Sequence, residues 1–182
     1  MAILEVLPYP NPYLRQRAAQ VTAFDEQLRS IVQDMEETMA EEDGIGLAAT
    51  QVGIDLRLLI LAPYAFEGEA GLGKPNIVVI NPEIVSQSDE TVVAEEGCLS
   101  FPSVFIPVER PLEVTIRAQD RHGAYYEISG ERLGARAILH EIDHLNGVVM
   151  VDHVSFLVRK RALKKHKKNQ QILAREKETA VS

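Results

Sequence analysis

The chain has a single cysteine, Cys98, among 182 residues, so no internal disulfide can form and the thiol is left for other chemistry. That economy suits a reducing compartment. No run of 18 or more apolar residues occurs, so a membrane-spanning helix is not expected. The opening Met1-Ala2-Ile3-Leu4-Glu5-Val6-Leu7-Pro8 lacks the basic start and cleavage site of a signal peptide, and a cytoplasmic location follows as the expectation. No internal repeat, low-complexity segment or linker is visible, so residues 1–182 read as one domain. Hydrophobic residues at 46% and charged residues at 25% are ordinary for a globular protein long enough to bury a core.

Charge is the uneven feature. The net charge is −8, yet residues 151–182 carry nine Lys or Arg against three Asp or Glu, a local +6, which leaves −14 on the first 150 residues. Most of the cations lie in Arg159-Lys160-Arg161 and Lys164-Lys165-His166-Lys167-Lys168. A run of this kind is usually a solvated helix face. A separate basic element is also the electrostatic footprint of a contact with RNA or the ribosome surface. Neither DNA nor a membrane is expected as a partner.

Apolar Leu28, Ile31, Val32, Met35 and Met39 recur at three- and four-residue steps, predicting an amphipathic helix from Asp25 to about Glu42. A glycine-rich segment, Gly44-Ile45-Gly46-Leu47-Ala48-Ala49-Thr50-Gln51-Val52-Gly53, follows and reads as an extended strand or a loop passing close to a ligand. Strands are predicted at 57–62, 77–81, 91–94, 112–118 and 125–128, with turns at 68–73, at Asn81-Pro82 and at 120–123. A helix from about Glu131 to Leu145 should stop at Asn146-Gly147, a pair suited to a left-handed cap. A basic helix is expected over about 155–173, and residues 174–182 read as a frayed tail. The fold class is therefore α+β: an N-terminal amphipathic helix, antiparallel or mixed sheets around a central motif-bearing helix, and a C-terminal helix.

The motif on that central helix is His140-Glu141-Ile142-Asp143-His144. Residues four apart share a helix face, so both imidazoles can aim at one metal ion, with Glu141 within reach of a water on it. Two known completions of such a site fail here. Gly147 is present three residues on, but Met150 stands where one class of metalloprotease has a third histidine. A downstream glutamate is also missing, because after Asp152 the only acids are Glu176 and Glu178. The third ligand is thus expected upstream, with Cys98 in Glu95-Glu96-Gly97-Cys98-Leu99-Ser100 the best candidate. A lone cysteine is otherwise a small buried hydrophobe.

The glycine-rich segment ending in a glutamine, the Glu-Gly-Cys-Leu-Ser segment and the His-Glu-x-x-His motif occur in this order and at family-like intervals. The chain thereby resembles the peptide deformylases, enzymes of bacteria and organelles that remove the N-formyl group from new proteins, from the N-terminus to about residue 155. The resemblance implies metal-dependent hydrolysis of N-formyl-methionyl nascent peptides, with formate released. It implies one divalent metal on Cys98, His140 and His144, with Fe(II) used in the cell and zinc, nickel or cobalt able to substitute. Glu141 becomes the general base and then the general acid. Gln51 and the backbone N–H of Leu99 become the donors to the developing oxyanion. Ile45, Gly46 and Gly97 are matched to the peptide backbone, and Leu133 and Ala137, with Ile45, Leu99 and His140, to the methionine pocket. Glu96 is matched as the partner of Arg110. Asp143 is read independently either as a carboxylate near enough to hold a ring nitrogen of a motif histidine or as a surface acid of the helix. In some members the C-terminal helix docks near the ribosomal exit, which favours the sharper reading of the basic run.

Departures from the commoner pattern are Leu139 before the first motif histidine, Phe101 after the serine, and no arginine between Pro102 and Arg110. They bear on pocket shape and leave every expected metal ligand in place. Three rivals remain for test. A peptidase acting on internal bonds would cut unformylated peptides, and a non-catalytic ribosome-binding protein would tolerate loss of Glu141. A purely structural metal site would want a fourth protein ligand.

Overall fold

The structure, a computed structural model, describes residues 2–181. Helix α1 (Glu26–Glu41) opens on Asp25, whose side chain accepts the Leu28 N–H at 3.0 Å and so satisfies one of the free amides of the first turn. Its buried stripe of Leu28, Val32, Met35 and Met39 follows helical periodicity. Strand β1 (Gly46–Ala48), a 3-10 turn (Ala49–Val52) and strand β2 (Leu58–Leu61) come next, so the glycine-rich segment is part strand and part turn. Helix α2 (Tyr64–Glu67) and a 3-10 turn (Gly68–Gly71) precede β3 (Ile77–Gln87), β4 (Thr91–Cys98), β5 (Phe101–Pro111), β6 (Glu113–Gln119) and β7 (Tyr125–Glu131). Helix α3 (Leu133–Leu145), a 3-10 turn (Met150–His153) and helix α4 (Phe156–Val181) complete the chain.

Five strands form one antiparallel sheet in the order β1-β2-β3-β6-β7, and β4 pairs with β5 in a separate antiparallel hairpin. The α+β class with antiparallel sheets and a C-terminal helix therefore holds. All four residues of β2 are buried because both sheet faces are covered. Leu59 and Leu61 pack toward Ala135, Ile138 and Leu145 of α3, whereas Leu58 and Ile60 pack toward Met35 and Met39 of α1. The hairpin closes a third cluster, in which Phe101, Val104, Ile106 and Val108 meet Leu14, Val149–Val151 and Ala162 of α4. Among the described residues, no helix is long and apolar enough to cross a membrane.

Helix α3 lies among these layers, with 11 of its 13 residues buried. Four of the eleven are Arg136, His140, Glu141 and His144, so each polar group needs a partner or a function. Asn146-Gly147 ends the helix as expected: Gly147 has φ 75°, and the Val148 N–H donates to the Asp143 carbonyl at 2.9 Å.

Several expectations need correction. Strand β5 has no counterpart among the predicted strands: it carries Pro102, Pro107 and Pro111, which a strand tolerates here because among the described residues it pairs with β4 alone and can spare N–H groups. Asn81-Pro82 is not a turn between elements. Asn81 takes φ 51° inside β3 at a register shift, and its side chain bonds Val21 and Gln119 instead. The turn predicted at 68–73 is present and begins as a 3-10 turn over Gly68–Gly71, whereas the residues read as a frayed tail continue α4 to Val181.

Candidate metal centre

His140 and His144, one turn apart on α3, aim their Nε2 atoms at one point and bring them to 3.2 Å of each other. Cys98 closes β4, and its Sγ lies 3.3 Å from His144 Nε2. The three donor atoms all fall within 4.8 Å of one another. Ligands at ordinary zinc distances, arranged tetrahedrally, would sit about 3.3 Å apart for two nitrogens and about 3.6 Å for nitrogen and sulfur. The set therefore fits a first-row metal ion and could hold one. Burial opposes the charged form of His140, but contacts with Cys98 and Glu96 outweigh it and hold the ring well above its usual pKa. Burial and the neighbouring His140 push His144 well below.

Glu141 follows His140 on the same helix and is 5% exposed. Burial pushes its pKa up to about 7, with His140 working in the opposite direction. Its Oε2 has no hydrogen-bond partner among the described residues, which is costly for a buried carboxylate unless water or substrate reaches it. Gly46 supports this carboxylate closely: a Cβ built there would lie 2.6 Å from Glu141 Oε1.

These groups open on a cavity of about 440 Å³, lined in part by Ile45, Gly46, Gly97, Leu99, Leu133 and Ala137. Gln51 is buried beside Cys98 and Ser100. Its Oε1 accepts the Ala48 N–H at 2.9 Å, which turns Nε2 toward Ser100 Oγ at 3.2 Å and Cys98 Sγ at 3.6 Å. Leu99 begins the turn after Cys98 and packs its side chain against the Gly44 backbone. The structure therefore brings the glycine-rich segment, the cysteine segment and the motif helix to one cavity.

Behind His140 lies a buried ionic network. Glu96 Oε1 meets His140 Nδ1 at 2.5 Å and accepts from Arg110 Nη2 at 2.6 Å, while Oε2 accepts from Arg110 Nε at 3.1 Å and Arg136 Nη1 at 3.0 Å. Although burial pulls Glu96 upward, the His140 and Arg110 contacts hold it well below the usual carboxylate range. The expectation that Asp143 holds a motif histidine is corrected. Asp143 accepts from Arg110 at 2.6 Å and meets His153 at 2.7 Å, while Glu96 holds the Nδ1 of His140. Sequence reading missed Arg136 and His153. The one signal for Arg136 was its place four residues before His140, on the same helix face.

Converging nitrogen and sulfur donors beside a buried, unpartnered glutamate define a metal-dependent hydrolase. The family model described as polypeptide deformylase matches residues 3–160. A peptide deformylase of Novosphingobium aromaticivorans is 43% identical over 183 residues, covering 92% of this chain and 97% of its own. The crystal structure of a peptide deformylase from Legionella pneumophila matches with a TM-score of 0.89 at 42% identity, covering 96% of this chain and 99% of that one. The peptide deformylase structure from Thermotoga maritima gives a TM-score of 0.78 at 42% identity over 85% of this chain and 99% of that one. The chain belongs to the polypeptide deformylase family, metal-dependent hydrolases that remove the N-formyl group from nascent polypeptides.

Proposed function

We propose that deformylation runs on Cys98, His140 and His144 as the ligands of one divalent metal, Fe(II) in the cell, with zinc, nickel or cobalt as substitutes. The carrying observation is the convergence of these three donors beside the unpartnered Oε2 of Glu141. A metal held by these three side chains would supply Lewis acidity, acidifying a water molecule and polarising the formyl oxygen. Glu141 takes the proton of the attacking water and returns it to the amine nitrogen as the C–N bond breaks. The new C–O bond ends in formate, and the peptide leaves with a free amine. Gln51 donates from Nε2 to the oxygen where negative charge develops, and the Leu99 N–H is the second donor. The Ala48 N–H and Ser100 hydroxyl hold the Gln51 amide in that orientation.

Strands β1 and β4 are both edge strands, so each can offer unpaired backbone groups to an extended peptide. Ile45, Gly46 and Gly97 receive the peptide backbone. Leu133 and Ala137, with Ile45 and Leu99, take the methionine side chain. Glu96 orients His140, Arg110 holds Glu96, and Asp143 holds Arg110.

Residues 1–182 act as one catalytic domain in the cytoplasm, where α4 meets the ribosome and brings the site to formylated chains. Lys160, Arg161, Lys164, Lys165, Lys167 and Lys168 are all exposed on that helix, which supports an electrostatic contact with RNA. The test is formate release from formyl-Met-Ala-Ser by protein prepared without oxygen and loaded with Fe(II) or Ni(II). Turnover is expected in the parent and should be lost in Cys98→Ser and Glu141→Ala, with metal retained in the latter. A parent that binds one metal and releases no formate would overturn the mechanism.

A further inference from the structure

The candidate ligands come from two separate parts of the fold. Cys98 belongs to the β4–β5 hairpin, whereas His140 and His144 belong to α3. A metal site made this way is only as well defined as the joint between its two parts. The pair of Arg110 with Glu96 does not make that joint, because Arg110 is on β5 and Glu96 on β4, within the same hairpin. Arg110 does reach Asp143 of α3, but the Asp143 side chain is 22% exposed and faces outward.

Arg136 is different. It stands on α3 one turn before His140, and its side chain is 6% exposed. A guanidinium keeps its charge, so every donor that it buries needs an acceptor. Its Nη1 donates to Glu96 Oε2 at 3.0 Å and to the Val108 carbonyl at 2.8 Å, and its Nη2 donates to the Val92 carbonyl at 3.0 Å. Val92 is on β4 and Val108 on β5, so one planar fork grips both strands of the hairpin and the carboxylate that faces His140. The backbone contacts go beyond what neutralising Glu96 would require.

Resting on the reading of Cys98, His140 and His144 as metal ligands, we infer that Arg136 is a positioning residue for the metal. It fixes the hairpin that carries Cys98 against the helix that carries the two histidines, and it aims Glu96 at His140 Nδ1. Lysine in its place keeps the charge but offers its donors from one nitrogen, and so cannot span carboxylate and both strands in the same way.

The test uses the full chain loaded with Co(II) and compares the parent with Arg136→Met, Arg136→Lys and Cys98→Ser. The measurements are the thiolate-to-cobalt absorption band, the rate of cobalt loss to a chelator, and kcat and KM on formyl-Met-Ala-Ser. Arg136→Met is expected to lose cobalt about 10- to 100-fold faster, with a shifted absorption band and a lower kcat. Arg136→Lys should lie between it and the parent. A parent-like band and release rate, with only a lower melting temperature, would show a merely structural arginine and overturn the inference. A raised KM with parent-like cobalt release would make Arg136 a wall of the cavity and overturn it equally. If Arg136→Met does not fold, Arg136→Lys decides, and parent-like cobalt retention in that variant overturns the proposal. A parent that takes up no cobalt, or a Cys98→Ser variant that holds it as well as the parent, refutes the ligand assignment and the inference with it.

Discussion

Gly46 lies directly against Glu141: a methyl group added to the glycine would come within 2.6 Å of the carboxylate Oε1 and 2.9 Å of Cγ. Real side chains do not tolerate that approach, so Gly46→Ala must displace either β1 or the carboxylate. Misplacement of a reacting group by about 1 Å can cost on the order of 10²-fold in rate. Gly46→Ala is expected to lose about that much kcat while retaining one equivalent of metal. Turnover within twofold of the parent, measured beside metal content, would show that Glu141 does not need its present position.

Across the β4–β5 hairpin, Gly97 faces Phe105, and a Cβ on Gly97 would fall 2.6 Å from the Phe105 ring. Gly97→Ala should destabilise the protein by about 1–3 kcal/mol through overpacking beside Cys98. Because the Phe105 ring is 63% exposed, its removal opens space at small cost, so Phe105→Ala should restore much of the loss. Urea denaturation of both single variants and the double variant gives the coupling directly. Strict additivity would refute the contact.

Asp152 ties three segments together, accepting from Arg15 at 2.5 Å, Arg159 at 2.6 Å and the Val149 N–H at 3.0 Å. Burial raises its pKa, but these bonds outweigh it and hold the carboxyl well below the usual range. A depressed carboxylate contributes its full stability above the unfolded-state value of about 3.9 and loses it as the pH falls through the folded value. Asp152→Asn should therefore lower the melting temperature at pH 7, and the gap from the parent should narrow below about pH 4. Melting curves across that range check it, and a gap independent of pH would remove Asp152 from the account.

Metal removal should also register as stability. Two imidazole nitrogens 3.2 Å apart with a sulfur 3.3 Å away form a site that only the folded chain assembles. A ligand of the folded state at 1,000 times its Kd contributes about 4.1 kcal/mol by mass action. Chelation should lower the melting temperature, and Ni(II) or Co(II) should restore it. Equal melting curves with and without metal would deny that the three donors bind together.

Much of the fold was legible where the physics is local. The stripe of Leu28, Val32, Met35 and Met39 located α1 to within a residue at each end, because helical periodicity and the Asp25 cap are short-range. Strand β5 was illegible for a complementary reason. Its prolines count against a strand unless one edge is known to be free, and pairing is a property of the whole sheet. At Asn81-Pro82 a break in the strand was readable, but not that it would be a single left-handed residue with the chain continuing in the same strand beyond it.

By itself the sequence determined which reacting groups are present and that His140, Glu141 and His144 share one helical turn region, since the period of a helix is a local property. The spacing of its three motifs also carried the family. Only the tertiary structure decided that Cys98 stands 3.3 Å from His144, that Asp143 serves Arg110 rather than a histidine, and that Arg136 clamps the hairpin to α3. Those relationships depend on which charges are buried together. Burial is set by the packing of segments far apart in the chain, so no window of the sequence contains it.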